Sequence, residues 1–294
     1  MKFHRTRLVQ GFILLFVIAV LGRVTMMCLR ADRLVHPPRQ TYSRTPSDFG
    51  ITAWQDVTFP SRDGTRLRGW FVPAQNGTVV ILVHGLSVER SVLLPQAAWL
   101  VARGYGALLF DLRNHGTSDG NVSTLGFAEA EDVRGAIAFA QPRARNLALL
   151  GHSMGASAAI GAAAHEPAVQ AIIAVSAYTS ASSNINQFIQ VVTGLPEFAF
   201  ASPLAWLDER ATGIRFADVR PIDDVPLIAP RAILFVHGER DSLVLAQNSI
   251  HLYHAAREPK QLYLIPDAAH NDVFLAHPTE LEKRILDFLA ETIK

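Results

Sequence analysis

The run Gly151-His152-Ser153-Met154-Gly155 sits between a short apolar stretch at 146–150 and a small-residue stretch at 156–164. The first reads as a buried strand and the second as a helix. A turn that joins them so abruptly leaves no room for side chains at its flanks, and glycine stands at both. Ser153 is then held in a strained backbone conformation with its hydroxyl exposed, the context a nucleophilic serine needs. The pentapeptide alone is also compatible with a Ser/Gly-rich loop, and the strand and helix around it favour the nucleophile.

The rest of the chain supplies a sheet to carry that turn. Residues 54–59 and 67–72 are β-rich and flank Ser61-Arg62-Asp63-Gly64, a hairpin signal. Residues 79–83 form a continuous apolar run of the kind shown by a central parallel strand. Helical stretches follow at 92–103 and 125–140, with strands at 106–110, 169–175, 232–236 and 261–265. A last helix begins at His277-Pro278 and buries Leu281, Ile285, Phe288 and Leu289. Alternating βα units predict an α/β fold with a mostly parallel, doubly wound sheet and its chemistry at the carboxyl ends of the strands. About 240 residues suit one such domain, 53–294. No internal repeat is present.

Residues 177–230 break the rhythm. They hold no clear strand and are rich in apolar and aromatic side chains, Phe188, Phe198 and Trp206 among them. An irregular loop of that length is anomalous in a compact domain, so a small helical cap is expected, with these three lining an acyl pocket. An extra pair of core helices is the alternative.

A serine hydroxyl is a poor nucleophile until a base takes its proton, and that base needs a partner to fix its tautomer. The strand 232–236 runs into His237-Gly238-Glu239-Arg240-Asp241, which puts Asp241 just past a strand end. The strand 261–265 runs into Pro266-Asp267-Ala268-Ala269-His270, which puts His270 likewise. Both then face Ser153 in the chain order Ser, Asp, His. Glu239 remains an alternative acid. Asp111 also follows a strand, but it opens a polar turn, 111–118, that reads as a brace. Asp223 and Asp224 precede their strand, His251, His254 and His277 fall on surface positions or caps, and the His152 side chain is expected to point away from the site. Backbone N–H groups must meet the charge on the tetrahedral intermediate. Met154 and Leu86, the latter in His84-Gly85-Leu86-Ser87 after the strand 79–83, are the expected donors. None of this chemistry calls for a metal or a cofactor.

These pieces, with Asp63-Gly64, Leu67-Arg68-Gly69-Trp70 and the turn 111–118, resemble the α/β-hydrolase superfamily. Within it, the chain is similar to the serine-aminopeptidase-like and lysophospholipase-like branch, including its single-pass membrane members. The resemblance runs from residue 54 to the C-terminus. It implies Ser153 as nucleophile, Asp241 as acid, His270 as base, and Leu86 and Met154 as oxyanion donors. Asn114 departs from the pattern, since many relatives carry glycine there. The branch's substrates include esters, acyl-glycerols, thioesters and peptides.

The N-terminal thirty residues differ in kind. Leu8 opens and Leu29 closes an apolar run that would be about 33 Å long as a helix, enough to cross a hydrocarbon core of about 30 Å. A membrane anchor at 1–30 and a tether at 31–52 are expected. The competing reading is a cleaved signal peptide, although no clean small-x-small site follows the run. Basic residues flank the run on both sides; Lys2, Arg5 and Arg7 before it favour a catalytic domain on the non-cytoplasmic side. The single cysteine, Cys28, excludes an intramolecular disulfide, and a net charge of +1 gives no reason to expect a nucleic-acid partner. The expected function is hydrolysis of carboxylic esters, acyl-chain or lipid-like, through an acyl-serine. A peptidase, amidase or thioesterase of the same fold is the enzymatic alternative; Asp208-Glu209 and Asp223-Asp224 could hold a peptide amino terminus. A non-catalytic binding protein is the other, opposed by the intact Ser153, Asp241 and His270.

Overall fold

A computed structural model describes residues 32–193, 209–210 and 212–293, with some positions between 10 and 29. Eight strands form one sheet: β1 (Gln55–Pro60), β2 (Arg66–Val72), β3 (Thr78–Val83), β4 (Gly106–Asp111), β5 (Asn146–His152), β6 (Val169–Val175), β7 (Ala232–Gly238) and β8 (Lys260–Ile265). Their order is β1-β2-β4-β3-β5-β6-β7-β8. The β1–β2 and β2–β4 pairs are antiparallel and the others parallel. The expected hairpin and central strands are all present.

The strands alternate their side chains between two helical layers. Val79, Ile81 and Val83 of β3 join one core, with Val133 and Ile137 of α2 (Phe127–Ala140) and Ala156 and Ile160 of α3 (Met154–His165). Val80 and Leu82 join the other core. There they meet Leu94 and Leu100 of α1 (Leu94–Val101) and Leu281, Ile285, Phe288 and Leu289 of α6 (Pro278–Thr292). A central strand can be apolar throughout because both its faces are covered. Each large side chain so buried contributes about 1.5–3 kcal/mol. Further helices include α4 (Ala181–Thr193) and α5 (Gln247–Ala255).

Register brings the site to one edge. Val83 pairs with Gly151, His152 with Val175, Val175 with Val236, and Gly238 with Ile265. The loops that leave these strands therefore emerge side by side.

The segment expected as a tether is built into this domain. Val35 and Ile51 are buried, Val35 O accepts the Ser123 N–H at 2.7 Å, and the Arg39 guanidinium donates to the carbonyls of Gly116, Ser118 and Gly120. Tyr42 and Trp54 meet Trp70 edge-on, with centroids 4.9 and 5.9 Å away. Apolar side chains placed among prolines and arginines give the segment something to bury, which a free linker lacks.

The stretch expected as a cap begins with α4. Phe198 and Trp206 lie outside the described residues, as does the Phe188 side chain on α4. The end of the stretch returns to the core, where Phe216, Val225 and Ile228 are buried against the sheet and α3. Among the described residues no helix is long and apolar enough to cross a membrane. Much of the run from Leu8 to Leu29 lies outside them.

Candidate active site

Ser153 ends the β5 turn and caps α3 with φ 56° and ψ −122°, a left-handed conformation that a side chain rarely adopts. Gly151 makes the turn possible, since a Cβ there would stand 2.5 Å from the Gly155 carbonyl oxygen. The Ser153 N–H is held by the Val175 carbonyl at 2.8 Å.

The other two residues arrive on neighbouring loops. His270 Nε2 lies 3.0 Å from Ser153 Oγ, and His270 Nδ1 lies 2.6 Å from Asp241 Oδ2. Asp241 Oδ1 accepts the N–H groups of Leu243 and Val244 at 2.9 and 2.8 Å. Burial opposes ionisation of Asp241, but hydrogen bonds from His237, His270 and the backbone outweigh it and hold the carboxyl below the usual range. An ionised Asp241 accepts the proton on Nδ1 and so leaves Nε2 bare toward the serine.

The loop after β3 is set by a histidine. His84 is fully buried; Nδ1 lies 2.7 Å from Gly85 O, and Nε2 accepts the Leu112 N–H at 3.0 Å. Nδ1 therefore carries the proton and draws the Gly85 carbonyl toward the ring. In a trans peptide the next N–H points the opposite way, so His84 directs the Leu86 N–H away from itself. Burial, reinforced by the neighbouring His115, lowers His84 to about 3 and keeps it neutral. His115 Nε2 in turn accepts the Ser87 N–H at 3.2 Å, which ties the same loop to the turn at 111–118.

That turn is the brace the sequence suggests. Asp111 accepts the Arg90 N–H at 3.0 Å and the Thr117 N–H at 2.8 Å. Asn114 has φ 60°, the backbone region that glycine enters freely and asparagine tolerates, which explains the exchange at this position. Next to it, Arg113 Nη2 reaches Asp132 at 2.7 Å and Arg113 Nη1 reaches Asp63, also at 2.7 Å. Burial pushes Asp132 up to about 6 against the pull of Arg113, which leaves it ionised at neutral pH.

Ser153, His270, Leu86 and Met154 open into a cavity of about 510 Å³, walled further by Leu34, Leu93, Ile185 and Phe274. Among the described residues, no Asp, Glu, Lys or Arg lines it.

Comparison with known proteins places this geometry. The family described as "Serine aminopeptidase, S33" matches residues 74–215. The uncharacterized protein YfhR of Salmonella typhimurium is 31% identical, over 92% of this chain and 91% of its own length. The chain belongs to the YfhR family of α/β-hydrolases. A Mycobacterium tuberculosis relative, the uncharacterized protein MT2364, is 30% identical over 92% of this chain and 91% of its own. The Pyrococcus furiosus esterase Pf2001 superposes with a TM-score of 0.74 at 23% identity, covering 89% of this chain and 99% of that one, and shares its fold.

In this YfhR-family chain the competing residues fall elsewhere. Glu239 is exposed, and the carboxylate at His270 is that of Asp241. Asp223 pairs with Arg220, Glu209 accepts the Phe216 N–H, and Asp208 lies outside the described residues. His251, His254 and His277 are exposed. His152 differs from expectation. Its ring lines the cavity, 5.1 Å from the His270 ring, with Nε2 3.3 Å from the His270 carbonyl. The preceding strand places it there, because His152 still pairs with Val175 as the last residue of β5. Burial and then the neighbouring His270 lower it to about 3. Leu34 was equally unforeseen, since nothing in a Pro/Arg-rich segment signals a pocket wall.

Proposed function

We propose that this chain is a serine hydrolase that cleaves carboxylic esters of acyl-chain character through an acyl-serine intermediate. The observation that carries the reading is the chain Ser153 Oγ–His270 Nε2 at 3.0 Å and His270 Nδ1–Asp241 at 2.6 Å, opening into a cavity with an apolar wall. His270 takes the proton of Ser153 as Oγ attacks the ester carbonyl carbon. The carbonyl oxygen becomes an oxyanion, met by the N–H groups of Leu86 and Met154. The tetrahedral intermediate collapses, the alkoxide leaves with the proton from His270, and the acyl group stays on Ser153. Water then repeats the sequence, giving its proton to His270, and frees the carboxylic acid. The lack of acidic groups in the described lining supports an ester over a peptide, whose ammonium terminus wants a carboxylate partner.

An apolar N-terminal anchor belongs to the same reading, with the catalytic domain on the non-cytoplasmic side. It is supported by the run from Leu8 to Leu29, by the basic residues before it, and by the exposure of Phe12 and Leu15, at 72% and 66%. Leu34, five residues after that run, walls the cavity. A bilayer tether so close to the site fits a substrate with acyl chains.

The test is a series of esters from C2 to C12. Each buried methylene adds up to about 0.8 kcal/mol of binding, so kcat/KM should rise several-fold per pair of carbons until the cavity is full. Labelling of Ser153 by a fluorophosphonate, lost in Ser153→Ala, should accompany it. A flat series with labelling intact would move the substrate to a small polar ester. No labelling would remove the hydrolase reading.

A further inference from the structure

β7 ends in a second buried imidazole that the reaction above does not use. His237 has no exposed surface. Its Nε2 lies 2.7 Å from the Val244 carbonyl oxygen and 3.2 Å from Asp241 Oδ2. A carbonyl and an ionised carboxylate can only accept, so Nε2 must carry a proton and share it between them. In the neutral ring Nδ1 is then bare, and it accepts a hydrogen bond from the hydroxyl of Ser249, whose Oγ is 2.6 Å away and fully buried.

Asp241 therefore receives two imidazoles on one oxygen. His270 Nδ1 approaches Oδ2 at 2.6 Å and His237 Nε2 at 3.2 Å, while the N–H groups of Leu243 and Val244 take Oδ1. A chain of hydrogen bonds runs Ser249–His237–Asp241–His270–Ser153, with a serine and a histidine on each side of the carboxylate. Its two halves differ in access: Ser153 faces the cavity, whereas Ser249 sits on α5 with no exposed surface, turned toward β7. The outer half therefore has no substrate to act on, and its effect must pass through Asp241.

We infer that His237 is a positioning residue of the active site, holding Asp241 in the rotamer that addresses His270 and limiting how strongly that carboxylate draws a proton onto His270. The inference rests on the hydrolase reading of Ser153. Two physical effects follow. A carboxylate pinned from both sides cannot swing away from Nδ1, which preserves the tautomer that leaves Nε2 free. A carboxylate whose charge is shared with a second donor stabilises the imidazolium of His270 less than one facing His270 alone. The titratable groups around the pair are Asp241 on the β7 loop, His270 on the β8 loop and His152 at the end of β5; α5 contributes the Ser249 hydroxyl, which stays neutral.

Inactivation of the full-length chain by a fluorophosphonate, measured from pH 5 to 9, tests this without a known substrate. His237→Leu should lower the second-order rate constant by about 10-fold to 100-fold, as expected when a catalytic group is misplaced by a fraction of an ångström to an ångström. The acid limb of its pH profile should also move to higher pH, because the unshared carboxylate favours the protonated His270. His237→Gln keeps an N–H donor near the position of Nε2 and should restore both the rate and the limb. Should His237→Leu fail to fold, His237→Asn makes the same comparison, since its shorter amide stops short of Asp241. A rate and limb unchanged in His237→Leu would overturn the inference. Equal losses in the Leu and Gln variants with the limb unmoved would overturn it too, that being the pattern of a residue needed only for packing. A wild-type chain that the probe does not label at Ser153 would overturn the hydrolase reading, and this inference with it.

Discussion

A Cβ placed on Gly155 would stand 2.3 Å from the carbonyl oxygen of His84. The helix that begins behind Ser153 thus rides directly on the backbone of the loop that carries Leu86, and the two halves of the site share one contact. Gly155→Ala should force them apart and destabilise the fold by about 1–3 kcal/mol, the usual range for overpacking. It should also lower kcat more than the folded fraction explains, because the Leu86 and Met154 N–H groups would separate. Denaturant melts beside active-site titration of the folded enzyme check both parts.

Ser153→Ala should leave the fold intact and lower kcat on the order of 10³-fold or more. Asp241→Asn should be severe as well, since the amide oxygen would stay with the Leu243 and Val244 N–H groups and turn its NH2 toward His270 Nδ1, which favours the wrong tautomer. Glu239→Gln should leave turnover close to wild type. Comparing kcat for the three variants on one ester decides between the carboxylates: normal turnover in Asp241→Asn with loss in Glu239→Gln would reverse the assignment.

Arg113→Ala should destabilise the protein by about 3–5 kcal/mol, because it strands the fully buried carboxylate of Asp132. Asp132→Asn in the Arg113→Ala background should recover part of the loss by removing that charge. Chemical denaturation of the two single variants and the double variant measures the coupling.

Stability should fall on acidification through the histidines. His84 and His152 stay neutral in the folded chain to about 3, whereas an unfolded histidine takes its proton near 6.5. Between those values the unfolded state binds more protons, so stability is fully present above about pH 6.5 and is lost as pH falls toward 3. His84, with no exposed surface, carries most of this; the half-buried His152 carries less. His84→Ala should flatten the acid side of the stability profile while lowering stability at pH 7, since the Leu112 N–H and Gly85 carbonyl lose their partner. Melting temperatures from pH 4 to 8 for both proteins report the difference.

Strand identity and the order of Ser153, Asp241 and His270 are local properties, and they are legible in the chain. A continuous apolar run such as 79–83 reads as a strand covered on both faces, and a glycine-flanked serine between strand and helix points to a tight turn. Three things were not local. The side chain of His152 turns toward His270 because β5 continues through it in register with Val175, and pairing register is fixed by the neighbouring strand rather than by the residue. Leu34 walls the cavity because Val35 finds a place in the core beside Asn114, a contact between segments about eighty residues apart. His237 meets Asp241 in a loop that folds the Val244 carbonyl back onto its ring, with Ser249 reaching the ring from α5, so its spacing to the aspartate carries no signal of a bond. The sequence determined which strands form and which candidate residues, Ser153, His270 and Asp241 or Glu239, stand at their ends, since burial and turn sterics act over a few residues. Tertiary structure alone decided which imidazoles and which N-terminal side chains surround them, because hydrogen-bond partners and cavity walls are chosen among groups that only the folded sheet brings together.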